Sequence, residues 1–491
     1  MLGISSGLMY GDSVFPSSGI GAGTSIKLKG DWQGSGYDTT YVGFGDCLDL
    51  GTNDFSISCW FKRGLYNLDH ISGGENNDQT IFYKNGYNTV TEEASGTIGL
   101  KLVNTRLKFI VHDGSSYIIN SKTVENDLTD FLAGTGPIIQ TFNHDPIPID
   151  TWSHFCVSVD RSGNCVMYLN GSPFENFSTI DISDDSSVNF NNKGHWKIGT
   201  QDGIGALPFS GAYPNTFCDE YAIWNSALDA DNVAAIYNGG NPIDLLVNSG
   251  NYDESSALQA YWKFGDGVGD IKSPITATAF TSGSDTGIST GWNTAKIFPI
   301  IRDQKNNGFG SELWDATQPS TGSWTVYDNN TVAIDDGAIK ITYVDSENGA
   351  KALLSNATNL SADLSVGGFN TYDSARHWYK LSLKAKVNSG ASVHIFTGGT
   401  QATYDRQRNR TISPITSTEF VELDIYFEGI HATSQYIAFE GMDSGEIIWI
   451  KDISLKKLNG NNGTTDYNWL TPELHGNDGH AEFTSDAPVP V

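Results

Sequence analysis

The carboxylates in Glu422-Leu-Asp-Ile-Tyr-Phe-Glu428 form the pattern that most resembles catalytic machinery. Paired carboxylates supply general acid and base steps when a glycosidic bond is hydrolysed. The segment has the alternation of a β-strand, in which six residue steps separate the outer carboxylates by about 20 Å. Hydrolysis needs roughly 5 Å for retention and under about 10 Å for inversion. We therefore interpret these residues as the solvated face of a strand.

Other catalytic and metal-binding patterns are equally weak. The ten histidines include no His-Glu-x-x-His pair, and no phosphate-binding P-loop is present. Asp181-Ile-Ser-Asp-Asp185 has the oxygen ligands that calcium prefers, but such a segment is more often a plain acidic turn. We therefore predict that the protein is not an enzyme.

Aromatic residues in loops are better candidates for a binding function. An aromatic ring can pack against a sugar while neighbouring polar groups bind its hydroxyls. The predicted carbohydrate-binding residues are Tyr66, His70, Tyr117, Tyr372, Tyr404 and Arg406. Six tryptophans lie inside predicted strands and are expected in the core, namely Trp60, Trp196, Trp224, Trp262, Trp324 and Trp449.

The charge of the chain narrows the class of partner. Its 491 residues include 29 Lys+Arg and 57 Asp+Glu, a net charge of −28. Such a surface repels DNA, RNA and anionic lipid. Hydrophobic residues make up 38% of the chain, enough for sizeable cores, yet no apolar run approaches the 18 residues of a membrane-spanning helix. We expect neither nucleic-acid binding nor membrane insertion.

The cysteines and the N-terminus indicate the compartment. The chain has five cysteines, a small and odd number, so a disulfide framework is not expected. A predicted hairpin, with Val157 opposite Tyr168, would separate Cys156 from Cys165 by roughly 13 Å, beyond disulfide reach. We predict free thiols in a reducing compartment. Residues 1–19 lack the basic and apolar regions of a secretory signal, so export by that route is not expected.

Short β-rich runs separated by Gly, Asn and Asp predict an all-β protein. One helix is predicted after Asp229, which can cap it, and before Gly239-Gly240, which can end it. Composition changes along the chain suggest its divisions. We predict an N-terminal docking arm at 1–25, a first domain at 26–265, a linker at 266–305, a second domain at 306–457 and an acidic tail at 458–491.

Strand motifs of the first domain occur in a characteristic order: Asp54-Phe-Ser-Ile-Ser-Cys-Trp-Phe61, Trp152-Ser-His-Phe-Cys-Val-Ser-Val-Asp160, Val166-Met-Tyr-Leu-Asn-Gly171, Trp196-Lys-Ile-Gly199 and Cys218-Asp-Glu-Tyr-Ala-Ile-Trp-Asn225. In order and spacing they resemble the laminin G-like, concanavalin A-like jelly rolls. The resemblance implies two antiparallel sheets packed face to face. Members of this family bind glycans or proteins, and long loops on the sandwich are the expected binding surfaces.

The second domain contains shorter motifs: Asn307-Gly-Phe-Gly-Ser-Glu312, Asp336-Gly-Ala-Ile-Lys-Ile341, Tyr379-Lys-Leu-Ser-Leu-Lys-Ala-Lys386 and Ile450-Lys-Asp-Ile-Ser-Leu455. They resemble the galactose-binding-type jelly rolls of family 4 and 9 carbohydrate-binding modules. The resemblance implies a structural Ca²⁺ held by Glu312 and Asp452. The expected fold is thus two antiparallel jelly-roll sandwiches with extended terminal arms.

Two adhesive-type jelly rolls, free thiols and polar arms together fit a bacteriophage virion component made in the host cytoplasm. We interpret the chain as a non-enzymatic structural protein, either a tail fibre or a capsid decoration. Its expected partners are other virion proteins, contacted through the N-terminal arm, a host-surface glycan, and further copies of the chain, for which fibre proteins suggest a trimer. A polysaccharide-degrading tailspike enzyme and a secreted bacterial adhesin remain as alternatives.

Overall fold

Antiparallel β-sheets make up most of the protein. The computed structural model describes residues 23–63, 79–112, 147–199, 216–271, 276–278, 300–313, 324–344, 350–354, 378–397, 409–465 and 482–488, with gaps of at most eight residues inside several of these ranges. Four large sheets form two sandwiches, and one α-helix accompanies them in these residues. The predicted all-β class with two antiparallel sandwiches is confirmed.

The strands are numbered along the chain. They are β1 (Ser25–Leu28), β2 (Gly30–Gln33), β3 (Gly36–Thr39), β4 (Val42–Gly45), β5 (Phe55–Lys62), β6 (Gln79–Tyr87), β7 (Ala94–Val103), β8 (Arg106–His112), β9 (Trp152–Val159), β10 (Asn164–Leu169), β11 (Ser172–Pro173), β12 (Thr179–Asp181), β13 (Trp196–Ile198), β14 (Thr216–Trp224), β15 (Leu258–Trp262), β16 (Thr276–Thr278), β17 (Ile300–Ile301), β18 (Phe309–Glu312), β19 (Trp324–Val326), β20 (Thr331–Asp335), β21 (Ala338–Thr342), β22 (Ala350–Leu354), β23 (Trp378–Val387), β24 (Val393–Thr397), β25 (Asn409–Thr411), β26 (Val421–Glu428), β27 (Ile437–Gly441), β28 (Ile447–Leu458), β29 (Gly463–Thr465) and β30 (Glu482–Thr484). The helix α1 spans Ala230–Tyr237, and short 3₁₀ turns span Ser183–Asp185, Asn238–Gly240 and Gln304–Asn306.

The first sandwich packs a nine-stranded sheet against a seven-stranded one. The nine-stranded sheet follows the order β11-β10-β9-β5-β14-β1-β30, with β12 beside β10 and β15 beside β14. The seven-stranded sheet follows β17-β29-β4-β13-β6-β7-β8. A continuous core lies between them and includes Phe44, Phe61, Phe82, Trp196 and Trp262. Burial of this apolar surface is what holds the two sheets together.

Helix α1 lies on the outer face of the nine-stranded sheet. Asp229 accepts a hydrogen bond from the Asn232 backbone at 2.8 Å, and Asn238 ends the helix in the left-handed conformation. Val233 and Ile236 pack with Trp224 in a second apolar cluster. The predicted helix and its N-terminal cap are confirmed, whereas Asn238, not the predicted Gly239-Gly240, is the left-handed residue that ends it.

The β9–β10 hairpin differs in register from the sequence prediction. Met167, not Tyr168, lies opposite Val157. The Asp160 backbone donates to the Asn164 carbonyl at 3.0 Å, so the turn between them holds three residues where four were expected. The one-residue error does not affect the thiols: all five cysteines are free, and four of them are buried.

The second sandwich packs two six-stranded sheets. One has the order β16-β25-β24-β27-β22-β19. The other has the order β20-β21-β28-β23-β26, with β18 beside β28. Tyr379, Leu381, Phe439 and Ile450 are among the residues that fill the core between them.

Strands β18 to β28, which form the second sandwich together with β16, are inserted between two paired strands of the first. Strand β17 leads towards it and β29 returns from it, and these strands pair with each other and through β29 with β4. Further along, β30 pairs with β1 at the edge of the nine-stranded sheet. Two described parts of the predicted tail are therefore strands of the first sandwich. The predicted linker likewise contributes β16 to the second sandwich and β17 to the first.

The predicted domain limits otherwise stay predictions, and residues 1–22 of the docking arm lie outside the described residues. No helix in the described part of the chain has the length and apolarity needed to cross a membrane.

Candidate functional site

The six predicted carbohydrate-binding residues cannot be placed. Tyr66, His70, Tyr117, Tyr372, Tyr404 and Arg406 all lie outside the described residues. Their assignment as carbohydrate-binding residues stays a prediction.

The predicted calcium ligands lie on neighbouring strands but have separate partners. Both carboxylate oxygens of Glu312 accept hydrogen bonds at 2.6 Å, from the Ser454 hydroxyl and the Leu455 backbone. The Asp452 carboxylate pairs with Lys384 at 3.1 Å. Because a cation between these carboxylates would compete with an ammonium group, the pair does not fit a shared calcium ion. No group of three or more potential metal ligands occurs among the described residues, and calcium binding stays a prediction.

A more distinctive surface is the outer face of the sheet that contains β23 and β28. Burial alternates along β23, so Leu381, Leu383 and Ala385 face the core while the residues between them face outward. The outward residues of β23 are Lys380, Ser382, Lys384 and Lys386. Opposite them on β28 lie Lys456, Ser454, Lys451 and Trp449 in the same order. Lysine thus dominates one flat face of an acidic protein.

Five side chains on this face alternate between lysine and aromatic residues, and we call them the lysine–aromatic cluster: Lys340, Trp449, Lys386, Phe420 and Lys451. The Nζ atoms of Lys340 and Lys386 lie 5.5 Å and 5.2 Å from the Trp449 ring centroid. Those of Lys386 and Lys451 lie 4.9 Å and 4.1 Å from the centroid of Phe420. At these distances each ring attracts both ammonium groups through its quadrupole.

The orientation of Trp449 is fixed by a polar contact as well. Its indole Nε1 donates to Asp335 at 2.9 Å, and Lys340 pairs with the same carboxylate at 3.4 Å. These contacts hold the pKa of the Asp335 carboxyl below its usual range. The lysine–aromatic cluster is therefore anchored at the end that contains Trp449.

Towards the first sandwich the same face forms a small groove, which we call the Phe309 groove. It has a volume of about 120 Å³ and is lined by Phe309, Lys380, Ser382, Ser454 and Lys456. The Phe309 side chain is 45% exposed. An exposed ring bordered by hydroxyl and ammonium groups is the combination expected of a sugar-binding surface.

The carboxylates of β26 complete this face. Asp424 pairs with Lys380 at 2.9 Å, and Glu422 pairs with Lys384 at 3.3 Å. Both acids are exposed. These two residues of the segment considered for catalysis therefore lie on the solvated face of a strand, as expected; the Glu428 side chain lies outside the described residues.

A second acidic pair lies inside the first sandwich. Strand β14 has a bulge between Asp219 and Ala222, where Glu220 takes a positive φ of 47°. Burial raises the pKa of Glu220 to about 7, while Lys263 and Tyr261 oppose this shift. The Tyr261 hydroxyl donates directly to the Glu220 carboxylate. Because both acids are almost fully buried and partnered within the fold, we assign this pair a structural role.

The sequence analysis missed the lysine–aromatic cluster because it placed Trp449 in the core. That prediction is wrong: Trp449 is half-buried between Ile448 and Ile450, which face inward. Strict alternation along this strand would have placed Trp449 on the opposite face. Trp60, Trp196, Trp224 and Trp262 are buried as expected, and the Trp324 side chain is not described.

Comparison with known proteins gives a family match within the first sandwich. Residues 35–234 match the family described as the concanavalin A-like lectin/glucanases superfamily, in its laminin G-like branch. No curated protein sequence matches the chain significantly.

Several solved structures are similar to part of the chain. A native heptameric SAP-like pentraxin from Limulus polyphemus has 15% identity and a TM-score of 0.31, over 50% of this chain and 89% of the other. The xylan-binding CBM22-1 domain from Paenibacillus barcinonensis has 12% identity and a TM-score of 0.23, over 31% and 97%. A family 4 carbohydrate-binding module has 16% identity and a TM-score of 0.22, over 28% and 95%. The family match over residues 35–234 supports a concanavalin A-like jelly roll as the kind of domain that the first sandwich forms.

Proposed function

We propose that this protein is a non-enzymatic structural component of a bacteriophage particle, either a tail fibre or a capsid decoration, that attaches to surface glycans. The observation that carries the adhesive part is the match of residues 35–234 to a family of lectins and glucanases. Five free cysteines, four of them buried, support assembly in a reducing compartment such as the host cytoplasm.

The described acidic residues support a binding role over a hydrolytic one. Glu422 and Asp424 lie on an open sheet face and pair with lysines. Asp219 and Glu220 are closed inside the first sandwich. Neither pair combines an accessible cleft with the carboxylate spacing that glycoside hydrolysis requires.

The outer face of the second sandwich is the surface that we assign to glycan. Phe309 offers an exposed ring, and Ser382, Ser454 and the neighbouring lysines offer hydroxyl and ammonium groups to sugar hydroxyls. A shallow, open face of this kind binds weakly on its own. Many copies on one particle, with a trimer as the proposed unit, would raise the avidity by orders of magnitude.

Attachment to the particle is assigned to residues 1–25, through contacts with capsid or tail proteins. This assignment is tested by labelling the chain and imaging purified particles, with and without residues 1–25. We expect labelled particles for the full chain and unlabelled ones for the deletion. Absence of the full chain from particles would overturn the virion assignment, and normal incorporation of the deletion would move the anchor elsewhere in the chain.

The adhesive role is tested on a glycan array with multivalent protein, with and without Ca²⁺. Binding that falls when Phe309 is replaced by alanine supports the assigned surface. A matched control is Val268→Ala, which removes another exposed apolar side chain, 74% accessible, in the first sandwich. Absence of binding at high density would overturn the adhesive role. Release of reducing sugar from a bound polysaccharide would replace it with the enzymatic alternative.

A further inference from the structure

We propose that the lysine–aromatic cluster binds the carboxylate groups of an acidic glycan in which charged and neutral sugars alternate. This inference rests on the proposed function and specifies the class of glycan. The basis is a difference among the lysines of the outer face: some pair with carboxylates, and others, among the described residues, contact only aromatic rings.

Three lysines on this face are already neutralised by acids. Lys380 pairs with Asp424 at 2.9 Å, Lys384 pairs with both Glu422 and Asp452, and Lys340 pairs with Asp335. Their charges are therefore largely compensated within the protein.

Lys386 and Lys451 differ from these three lysines. Within the described residues, their ammonium groups contact aromatic rings and form no ion pair with a carboxylate. Both contact the ring of Phe420, so the two positive charges converge on one side chain. A ring compensates an ammonium charge only in part, because its quadrupole attracts the cation much more weakly than a full negative charge does. Two partly compensated cations are thus held together on a protein whose net charge is −28.

The position of these charges is also organised in advance. Lys386 extends between Trp449 and Phe420, and the indole of Trp449 is fixed by its hydrogen bond to Asp335. Ordering a lysine side chain on binding costs conformational entropy, because the side chain has many rotamers. Contacts that already restrict the side chain reduce this cost, so a carboxylate gains charge-assisted hydrogen bonds with less loss of entropy.

The rest of the face favours a sparsely charged glycan over a nucleic acid. Beside the cluster, Glu422, Asp424 and Asp452 outnumber Lys380 and Lys384, the lysines with which they pair. This excess of negative charge would repel a continuous polyanion. Duplex DNA carries one charge per about 1.7 Å of its length. A glycan with a carboxylate on every second sugar can place an anion at the cluster and its neutral sugar beside the serines and acids, which accept hydrogen bonds from hydroxyls.

The test measures binding of the full chain to hyaluronan, in which charged and neutral sugars alternate, and to its carboxyl-reduced form. Alginate, in which every sugar carries a carboxylate, is the continuous polyanion for comparison. The test variant is Lys386→Gln with Lys451→Gln. The control is Lys27→Gln with Lys197→Gln, which removes the same charge from the first sandwich. A second variant, Lys386→Arg with Lys451→Arg, retains both charges. Thermal unfolding and circular dichroism of each variant show whether it is folded.

We expect the wild type to bind hyaluronan more tightly than its carboxyl-reduced form and more tightly than alginate, with an affinity that falls as salt rises. The glutamine variant should lose about tenfold or more of this affinity, while the arginine variant and the control retain it. Unchanged binding by the folded glutamine variant overturns the inference. A failure of both arginine and glutamine variants to bind would show that lysine packing, not charge, is required, and would also overturn it.

The outcomes also separate this inference from the proposed function. Binding of neutral glycans, with no preference for any acidic polymer, overturns the inference and leaves the adhesive role intact. Binding of no glycan at all overturns both. Preferential binding of single-stranded oligo(dT) would replace the acidic glycan by a nucleic acid.

Discussion

Arg302 and Asn462, 160 residues apart in the sequence, are joined by a hydrogen bond of 2.9 Å from the Arg302 Nε atom to the Asn462 side-chain oxygen. Both side chains are buried. They lie directly beside β17 and β29, the paired strands of the first sandwich that precede and follow strands β18 to β28 of the second. We call residues 300–303 and 459–463 the neck between the two sandwiches. The bond joins the two segments of this neck.

Replacing Asn462 with alanine should destabilise this neck. The amide oxygen of Asn462 also accepts from the Asp303 backbone, and its nitrogen donates to the Asn459 carbonyl at 3.0 Å. Asn462→Ala would leave a buried guanidinium and a buried backbone group without these partners, at a cost of about 2–3 kcal/mol. The loss is measured as a lower free energy of unfolding in urea.

Asn461 provides the control because its main contact with Asp303 uses the backbone nitrogen, at 3.0 Å. Asn461→Ala keeps that bond and should cost under about 1 kcal/mol. Equal losses in the two variants would show that the Asn462 side chain has no special part in the neck.

The fold class was predictable because its signals are local. Alternation in β23, turn residues after β9 and the cap at Asp229 each act over a few residues. The insertion of the second sandwich between strands of the first could not be predicted from such local signals. It depends on Ile300 and Ile301 meeting Thr464 and Gly463, a pairing of two very short strands that no local pattern specifies.

The candidate site was predictable only in part. Alternation places the lysines of β23 outward, and the sequence analysis recognised a solvated face on the neighbouring strand β26. The convergence of Lys386 and Lys451 on Phe420 joins residues from β23, β28 and the segment before β26. Their proximity follows from the order of strands in the sheet, and the sequence alone does not supply that order.

His154 should make the protein less stable in mild acid. It is fully buried, its Nε2 lies 2.7 Å from the Ser58 hydroxyl, and burial lowers its pKa to about 3. In the unfolded chain the imidazole takes up a proton near pH 6.5, whereas in the folded protein it does so only near pH 3. Stability is therefore lost as the pH falls between these values, by up to about 1.4 kcal/mol per pH unit.

The comparison with His154→Gln isolates this effect. Glu220 and Asp270, whose pKa values are raised by burial to about 7, act in the opposite direction, since they favour folding as the pH falls from 7 towards their unfolded values. They are present in both proteins and cancel in the difference. Urea unfolding at pH 6.5, 5.5 and 4.5 should show wild type losing more stability than His154→Gln. Parallel profiles would contradict the prediction.

Gly171 should not tolerate a side chain. Its φ is 75°, and a Cβ atom there would lie 2.7 Å from Cδ1 of Tyr237. Tyr237 is the last residue of α1 and stacks on Trp60 at 5.7 Å between ring centroids. Gly171→Ala should therefore cost about 3 kcal/mol, of which backbone strain accounts for about 1–2 kcal/mol and the clash for the rest.

Gly239→Ala is the matched control. Gly239 has a φ of 63°, and a Cβ atom added there would meet nothing within 4 Å, so only the strain remains. Combining Gly171→Ala with Tyr237→Ala should recover the clash contribution in a double-mutant cycle. Thermal or urea unfolding gives each value; a coupling energy near zero would show that Tyr237 is not the obstacle.

Replacing Arg161 with lysine should destabilise the protein, although both residues carry one positive charge. Its Nη2 atom donates to the carbonyls of Asp185 at 2.8 Å and Val188 at 2.6 Å, and its guanidinium carbon lies 3.8 Å from the ring centroid of Phe190. The residue is only 3% exposed, and burial lowers its pKa. A planar guanidinium can donate to several carbonyls while it stacks on a ring, whereas an ammonium group cannot keep this geometry.

Arg161→Lys should therefore cost about 1–3 kcal/mol and speed amide exchange in residues 183–190. Exchange in β14 should stay slow if the loss is local. Ser186→Ala is the control, because Arg161 contacts the backbone carbonyl of Ser186, at 3.4 Å, and that group is unchanged. Hydrogen exchange read by mass spectrometry distinguishes the two variants. The Phe190 backbone nitrogen also donates to the Gly51 carbonyl at 2.9 Å. Equal protection of residues 183–190 in wild type and Arg161→Lys would mean that this bond and the packing of Phe190 hold the segment without the guanidinium.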